Sequence, residues 1–207
     1  MIGTYLRLGY EHLLDRQGYD HILFIAVLCA AYAIRDWKPL LILITAFTIG
    51  HSISLALATM GLIRMDTGLI EFLIPVTIVA AAVINIVRPP PADPGEGAGS
   101  GENGADREAQ RTRMFRYVLA LLFGVIHGMG FSNFLRLMLG DEASLFVPLL
   151  SFNIGLELGQ ILVAVIVLVS GVLLSRLPFM NEQRWSRLVS GTIGLVAAWM
   201  AMGRWPW

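Results

Sequence analysis

Charge is scarce in this sequence, and so is cysteine. Asp, Glu, Lys and Arg make up 14% of 207 residues, against about 25% in a typical soluble domain. Fifteen basic residues balance fifteen acidic ones. With no basic stripe, a nucleic-acid partner is excluded. The single cysteine, Cys29, allows no intramolecular disulfide and no thiolate cluster for zinc or iron–sulfur. Inside an apolar run it reads as a small buried hydrophobe. The opening MIGTYLRLGYEHLLDRQG has no apolar stretch followed by a small-residue cleavage site, so no cleavable signal peptide is expected. HExxH and GxSxG are missing as well, so neither of those hydrolase signatures is available.

What the sequence has in abundance is long apolar runs, and 56% of the residues are apolar. The expected fold is an all-α, polytopic transmembrane helical bundle. Six spans are read at about 19–35, 39–63, 69–87, 115–139, 146–176 and 188–203, and a seventh is open if the first residues enter the membrane. The whole chain 1–207 is then one transmembrane domain. Residues 1–17 read as an amphipathic helix on the surface, with Tyr5, Leu6, Leu13 and Leu14 as its apolar contacts. Residues 88–114, RPPPADPGEGAGSGENGADREAQRTRM, read as a flexible linker. The loops after spans one, three and five carry Arg35, Lys38, Arg88, Arg107, Arg111, Arg113, Arg116, Arg176, Arg184 and Arg187. The other side carries Arg7, Arg16, Arg64, Arg136 and Arg204. Ten against five places both termini outside and the linker in the cytoplasm.

Against that apolar background the ionisable residues stand out. Three of the four histidines, His21, His51 and His127, fall within the spans, and His12 lies just before the first. The acids Asp20, Glu71 and Glu157 join them. An ionisable group inside a bilayer costs several kcal/mol, so such groups mark function. Imidazole and carboxylate together suit a cation. Glu71, in the first turn of its span, is read as a cap or as a group reaching for the interface.

Helix rise gives depth. His51 is twelve residues past Pro39 and His127 twelve past Phe115, which puts both ~18 Å into a ~30 Å core. Glu157, eleven past Phe146 from the opposite side, sits at roughly 16 Å. Asp20 and His21 are expected above them, in the outer layer, as a route in. His12 and His21 are nine residues apart, half a turn out of phase, so they converge only if the chain breaks, with Gly18 as the natural place. Asn153, Glu157 and Gln160 share a helix face, as do Thr45, Thr48 and Ser52 with His51 beside them. Gly124 with Gly128 and Gly155 with Gly159 are spaced for close helix packing.

Five segments carry a likeness: GYEHLL…GYDHILF (9–24), FTIGHSISL (47–55), IEFLIPVTI (70–78), FGVIHGMGF (123–131) and FNIGLELGQ (152–160). Together with the ending GLVAAWMAMGR (194–204), they resemble the HupE/UreJ family of hydrogenase and urease accessory membrane proteins. The match spans nearly the whole chain except the linker. The spacing from His12 to Asp20 is longer than the family's tight His…Asp-His pattern. The resemblance implies a multi-pass protein of the bacterial inner membrane that moves nickel or cobalt. It also implies ligand roles for His12, Asp20, His21, His51, His127 and Glu157.

Two functions follow as expectations. One is a transporter for a divalent transition metal (nickel, cobalt or zinc), held by His21, His51, His127, Glu157, Asp20 and His12. Asn153, Gln160, Ser52 and Thr48 would orient those groups. The alternative is an intramembrane zinc-dependent hydrolase acting on a lipid or membrane peptide, with Glu157 or Asp20 as general base. The partners expected are the metal ion and the lipid bilayer, and a homo-oligomer is compatible with the chain.

Overall fold

The computed structural model describes residues 2–15, 18–89, 103–139 and 145–206, with the side chains of 103–106, 133 and 139 left undescribed. Within them lie eight α-helices: α1 (Ile2–Leu14), α2 (Tyr19–Ala30), α3 (Trp37–Thr59), α4 (Thr67–Val87), α5 (Asn103–Gly130), α6 (Ser132–Leu139), α7 (Phe146–Ser175) and α8 (Glu182–Gly203). A short 3₁₀ turn, Ile34–Asp36, leads into α3. Three helical stretches, Ile34–Thr59, Thr67–Val87 and Phe146–Ser175, are long and apolar enough to cross a membrane. The protein is an all-α, multi-span membrane-helix bundle. Its surface agrees with that: α7 presents Leu150, Ile154, Leu158, Ile161, Val165 and Ile166 outward, an apolar face that only lipid or another apolar partner can cover.

Side-chain caps start two of the helices. Asp66 accepts a hydrogen bond from the Leu69 backbone N–H at 2.9 Å to start α4, and Asn181 accepts from that of Arg184 at 2.8 Å to start α8. The α3 helix begins at Trp37, two residues before the expected Pro39. Proline is tolerated there because first-turn N–H groups have no helical partner.

Some boundaries shift by a few residues, with α3 ending at Thr59 rather than 63 and α8 starting at Glu182 rather than 188. Three larger differences from the sequence-based expectation reshape the bundle. The first apolar run continues to Ile34, but α2 ends at Ala30. The Ala33 N–H turns to the Asp36 carboxylate at 3.1 Å, and the chain redirects into α3. The fourth run does not go straight from 115 to 139. It divides at Phe131, where Gly128 and Gly130 weaken the helix and the Ser132 hydroxyl takes the Met129 carbonyl at 2.8 Å. Finally, α5 starts at Asn103, inside the stretch expected to be linker, because Ala, Arg, Glu and Gln between 105 and 110 favour helix despite low hydropathy. The rest of that stretch, 90–102, lies outside the described residues, as do Met1, Arg16 and Gln17 of the segment 1–17.

Small residues decide which helices meet. A Cβ on Gly124 would fall on the Phe47 carbonyl oxygen, and one on Gly128 on the His51 carbonyl oxygen. Matched four-residue steps on both helices mean that α3 and α5 run in the same direction with their backbones in contact. The α1 helix, from the segment read as a surface helix, packs on α7 by the same device. A Cβ on Gly9 would meet the Phe152 carbonyl, and one on Gly155 that of Leu6. At opposite ends, Arg35 pairs with Glu182 and Arg204 with Asp20, both at 2.8 Å. Those two pairs clamp α2 and α8 antiparallel. The main core, with Phe24, Ile25, Leu43, Phe47, Ile78 and Leu156, lies between them.

Candidate metal centre

All four histidines meet. The break between α1 and α2, stitched by the Gly18 N–H to the Asp15 carbonyl at 3.1 Å, places His12 in the last turn of one helix and His21 in the first turn of the next. Their ring centroids are 4.9 Å apart. His21 also lies 5.8 Å from His51 on α3 and 5.1 Å from His127 on α5. His21 is therefore the hub, the residue against which the other three are packed. His51 and His127 are brought there by the glycine-tight contact of α3 with α5. The two-layer route, with His21 above a separate pair, is replaced by one cluster. Depth arithmetic located each residue along its helix but could not see that the start of α2 faces the same interior point.

The rings are buried and largely unsatisfied. Nε2 of His12, both ring nitrogens of His21 and of His51, and Nδ1 of His127 are buried with no hydrogen-bond partner among the described residues. Each orphaned polar atom costs about 1–3 kcal/mol, and native interiors keep few of them. Six of the twelve among the described residues sit on these four rings. Phe24, Phe47, Phe131 and Phe152 wall the cluster, with the His12 ring 3.8 Å from that of Phe131 and tilted 37° to it. An open cleft of about 780 Å³, lined in part by Glu11, His12, Asp15, Gly18 and Phe134, leads to His12 from outside the bundle.

Thr77 favours one tautomer of His127, because the shorter of its two contacts is to a carbonyl. Its hydroxyl donates to the Ile74 carbonyl at 2.6 Å, and its oxygen lies 2.9 Å from His127 Nε2. A hydroxyl has one proton. With that proton on Ile74, the oxygen can only accept, so Nε2 of His127 carries the hydrogen and Nδ1 presents a lone pair. Sequence reasoning missed Thr77; its signal is the IPVT step, where Pro75 already disturbs α4.

The carboxylates are placed differently. Asp20, buried beside His21, accepts from Arg204 Nη1 at 2.8 Å through Oδ2, while Oδ1 has no partner. Arg204 was also missed, since it is 184 residues away in sequence. Glu157 accepts from the Thr45 hydroxyl at 2.9 Å, and Gln160 accepts from that of Thr48 at 2.7 Å. These two rungs join α3 to α7 on the stretch of α3 that precedes His51. Asn153 donates back to the Leu149 carbonyl at 2.8 Å, and Ser52 to that of Thr48 at 2.6 Å. Glu71 itself is exposed, and only its main-chain carbonyl approaches Arg204, at 3.5 Å.

The donor set fits a borderline divalent cation. Two imidazoles on one ion at ~2.0–2.1 Å and a tetrahedral angle put their centroids about 5 Å apart, close to the separations around His21. As placed, no three His, Cys, Asp or Glu side chains among the described residues converge into a finished ligand set. Closing one requires the rings to turn.

Fold and cluster together define a polytopic membrane bundle built around buried imidazoles with six unpartnered ring nitrogens among the described residues. Comparison with known families gives the class a name. The HupE / UreJ protein family matches residues 1–94 and 100–205, and the chain belongs to it. It is a family associated with metal-accessory and permease functions. No curated protein and no solved structure matches the chain.

Proposed function

We propose that this protein carries a divalent transition-metal ion, nickel, cobalt or zinc, across the bacterial inner membrane. The observation that carries the reading is the meeting of His12, His21, His51 and His127 with orphaned nitrogens in an interior of otherwise apolar walls. His21 passes the ion between His12, beside the cleft, and His51 and His127. Asp20 supplies the nearby negative charge. Glu157, with Thr45, and Gln160, with Thr48, offer oxygens further along the α3–α7 seam. A ligand set that closes only when rings rotate suits weak, exchangeable binding, which transport needs. The discontinuities α1/α2 and α5/α6 beside His12, His21 and His127 support it too, because broken helices at the substrate site are a recurring transporter device. In this reading α1 and α2 build one broken crossing, five more follow, and both termini lie outside.

The hydrolase alternative needs a carboxylate free to act on a metal-bound water. Arg204 holds only one oxygen of Asp20 and Thr45 one of Glu157, so the carboxylates do not decide the matter. With HExxH and GxSxG both missing from the sequence, the transport reading is the better supported.

Proteoliposomes loaded with a metal-sensitive dye test it. Wild-type protein should pass Ni²⁺ or Co²⁺ down its gradient, and His51→Ala or His127→Ala should cut the flux at least about tenfold. Undiminished flux through both variants would sink the reading. A gentler change follows from the hydroxyl on His127. Thr77→Val keeps the shape, removes the acceptor for Nε2–H and frees the ring to change tautomer. Ni²⁺ affinity should fall about tenfold, read by titration of the purified protein, and the metal-free protein should lose about 1–3 kcal/mol because Nε2 loses its partner.

A further inference from the structure

Arg204 stands just past the last residue of α8, and its guanidinium is partly exposed. Its main contact is the ion pair to Asp20 Oδ2 at 2.8 Å, and its second is the Glu71 carbonyl at 3.5 Å. That carbonyl lacks its helical partner because the residue four further on, Pro75, has no N–H. The tail is steadied by Trp205, edge-on to Phe72 at 5.1 Å. Asp20, by contrast, is buried, and its Oδ1 is bare. The Arg204 cation is thus held firmly by the carboxylate next to the hub histidine and loosely by the Glu71 carbonyl.

We infer that Arg204 is a tethered competitor for Asp20: a divalent ion captured at the histidine cluster takes this carboxylate from the guanidinium, and the guanidinium takes it back as the ion leaves. The inference rests on the transport reading above. Four neutral imidazoles leave both charges of a bound dication uncompensated in a low-dielectric interior. The carboxylate adjoining His21 is the compensating group, and Arg204 neutralises it. A dication outbids a guanidinium for a shared carboxylate because its charge is double. A monovalent ion of equal reach has no such advantage. The same competition keeps the dication from being trapped, since the displaced guanidinium stays within reach on its own backbone, at the partly wet edge of the bundle. Arg204 therefore sets both the preference for dications and the ease of release, without touching the ion.

Equilibrium titration of Ni²⁺ into the full-length protein in nanodiscs tests this, together with chelator-driven release followed in time. Arg204→Gln should bind Ni²⁺ about tenfold more tightly, within the usual range of coupling between sites, and release it correspondingly more slowly. Arg204→Lys, which keeps the competing charge, should stay close to wild type. Asp20→Asn should bind more weakly, and Asp20→Asn/Arg204→Gln should match Asp20→Asn, because nothing is left to compete for. Unchanged or weaker binding by Arg204→Gln, with the wild type binding normally, overturns the inference and leaves the transport reading standing. No saturable binding by the wild type overturns both. The wild type alone supplies an independent check. Ni²⁺ should shift a carboxylate band in its infrared difference spectrum, and the shift should be missing from Asp20→Asn. Identical spectra would again contradict the inference.

Discussion

Replacing His21 by alanine should lower Ni²⁺ affinity by at least about a hundredfold, more than removal of any other single histidine. The magnitude reflects what one to two lost ligands cost a metal site; even groups that merely orient a ligand are worth 10–100-fold. The ranking comes from position. His12, His51 and His127 each pack on His21, at 4.9, 5.8 and 5.1 Å between centroids, so losing any of the three leaves two neighbours about the hub. Losing His21 leaves three rings with no common member. Folding should not suffer in proportion. Both nitrogens of His21 are buried without partners, and deleting unsatisfied groups recovers desolvation free energy that offsets the lost packing. His21→Ala should therefore unfold within about 1 kcal/mol of wild type in the absence of metal, and a metal titration beside a thermal melt separates the two effects. Wild-type affinity with a lower melting temperature would show that the ring is a structural prop.

Gly124→Val should do the reverse, damaging the fold first and the site as a consequence. The new Cβ lands on the Phe47 carbonyl oxygen and against the His51 backbone nitrogen. Neither is a flexible side chain that could swing aside. Relief requires α3 and α5 to separate along a contact that also includes Gly50 and Gly128. Overpacking a core side by side costs typically 1–3 kcal/mol, and a backbone-on-backbone clash belongs above that range. The expected loss is more than ~3 kcal/mol, with His51 and His127 carried apart and Ni²⁺ binding lost. Gly191→Ala is the matched control: a Cβ there meets nothing within 4 Å, so stability should hold or rise by up to about 1 kcal/mol from helix propensity. Thermal unfolding in one detergent compares the two directly.

Much of this molecule could be read along the chain because its signals are local. Apolar runs, a Pro near the start of α3 and glycines at four-residue spacing each act over one or two turns. They placed most of the helices and marked the close-packing faces, but not that the Gly124/Gly128 face meets α3. The half-turn mismatch made convergence of His12 and His21 conditional on a break between them, and α1 does end at Leu14 while α2 starts at Tyr19. The unread parts depend on azimuth and on distant pairing. Equal depth for His51, His127 and Glu157 did not reveal that Glu157 faces Thr45. Nor does any local pattern join Asp20 to Arg204. Thr77 was hidden for the same reason: its role appears only when α5 brings His127 against α4. Helix propensity outweighed low hydropathy at the start of α5, where a polar segment still forms helix.

The central claim is that the buried imidazoles of His12, His21, His51 and His127 bind one divalent metal ion. X-ray absorption at the metal edge of Ni²⁺- or Zn²⁺-loaded protein in nanodiscs tests it most directly, because imidazole rings leave a distinctive multiple-scattering signature. The account predicts one ion per chain with at least two imidazole nitrogens at about 2.0–2.1 Å, and fewer in His21→Ala. A shell of oxygens alone, or a spectrum unchanged by His21→Ala, would contradict it.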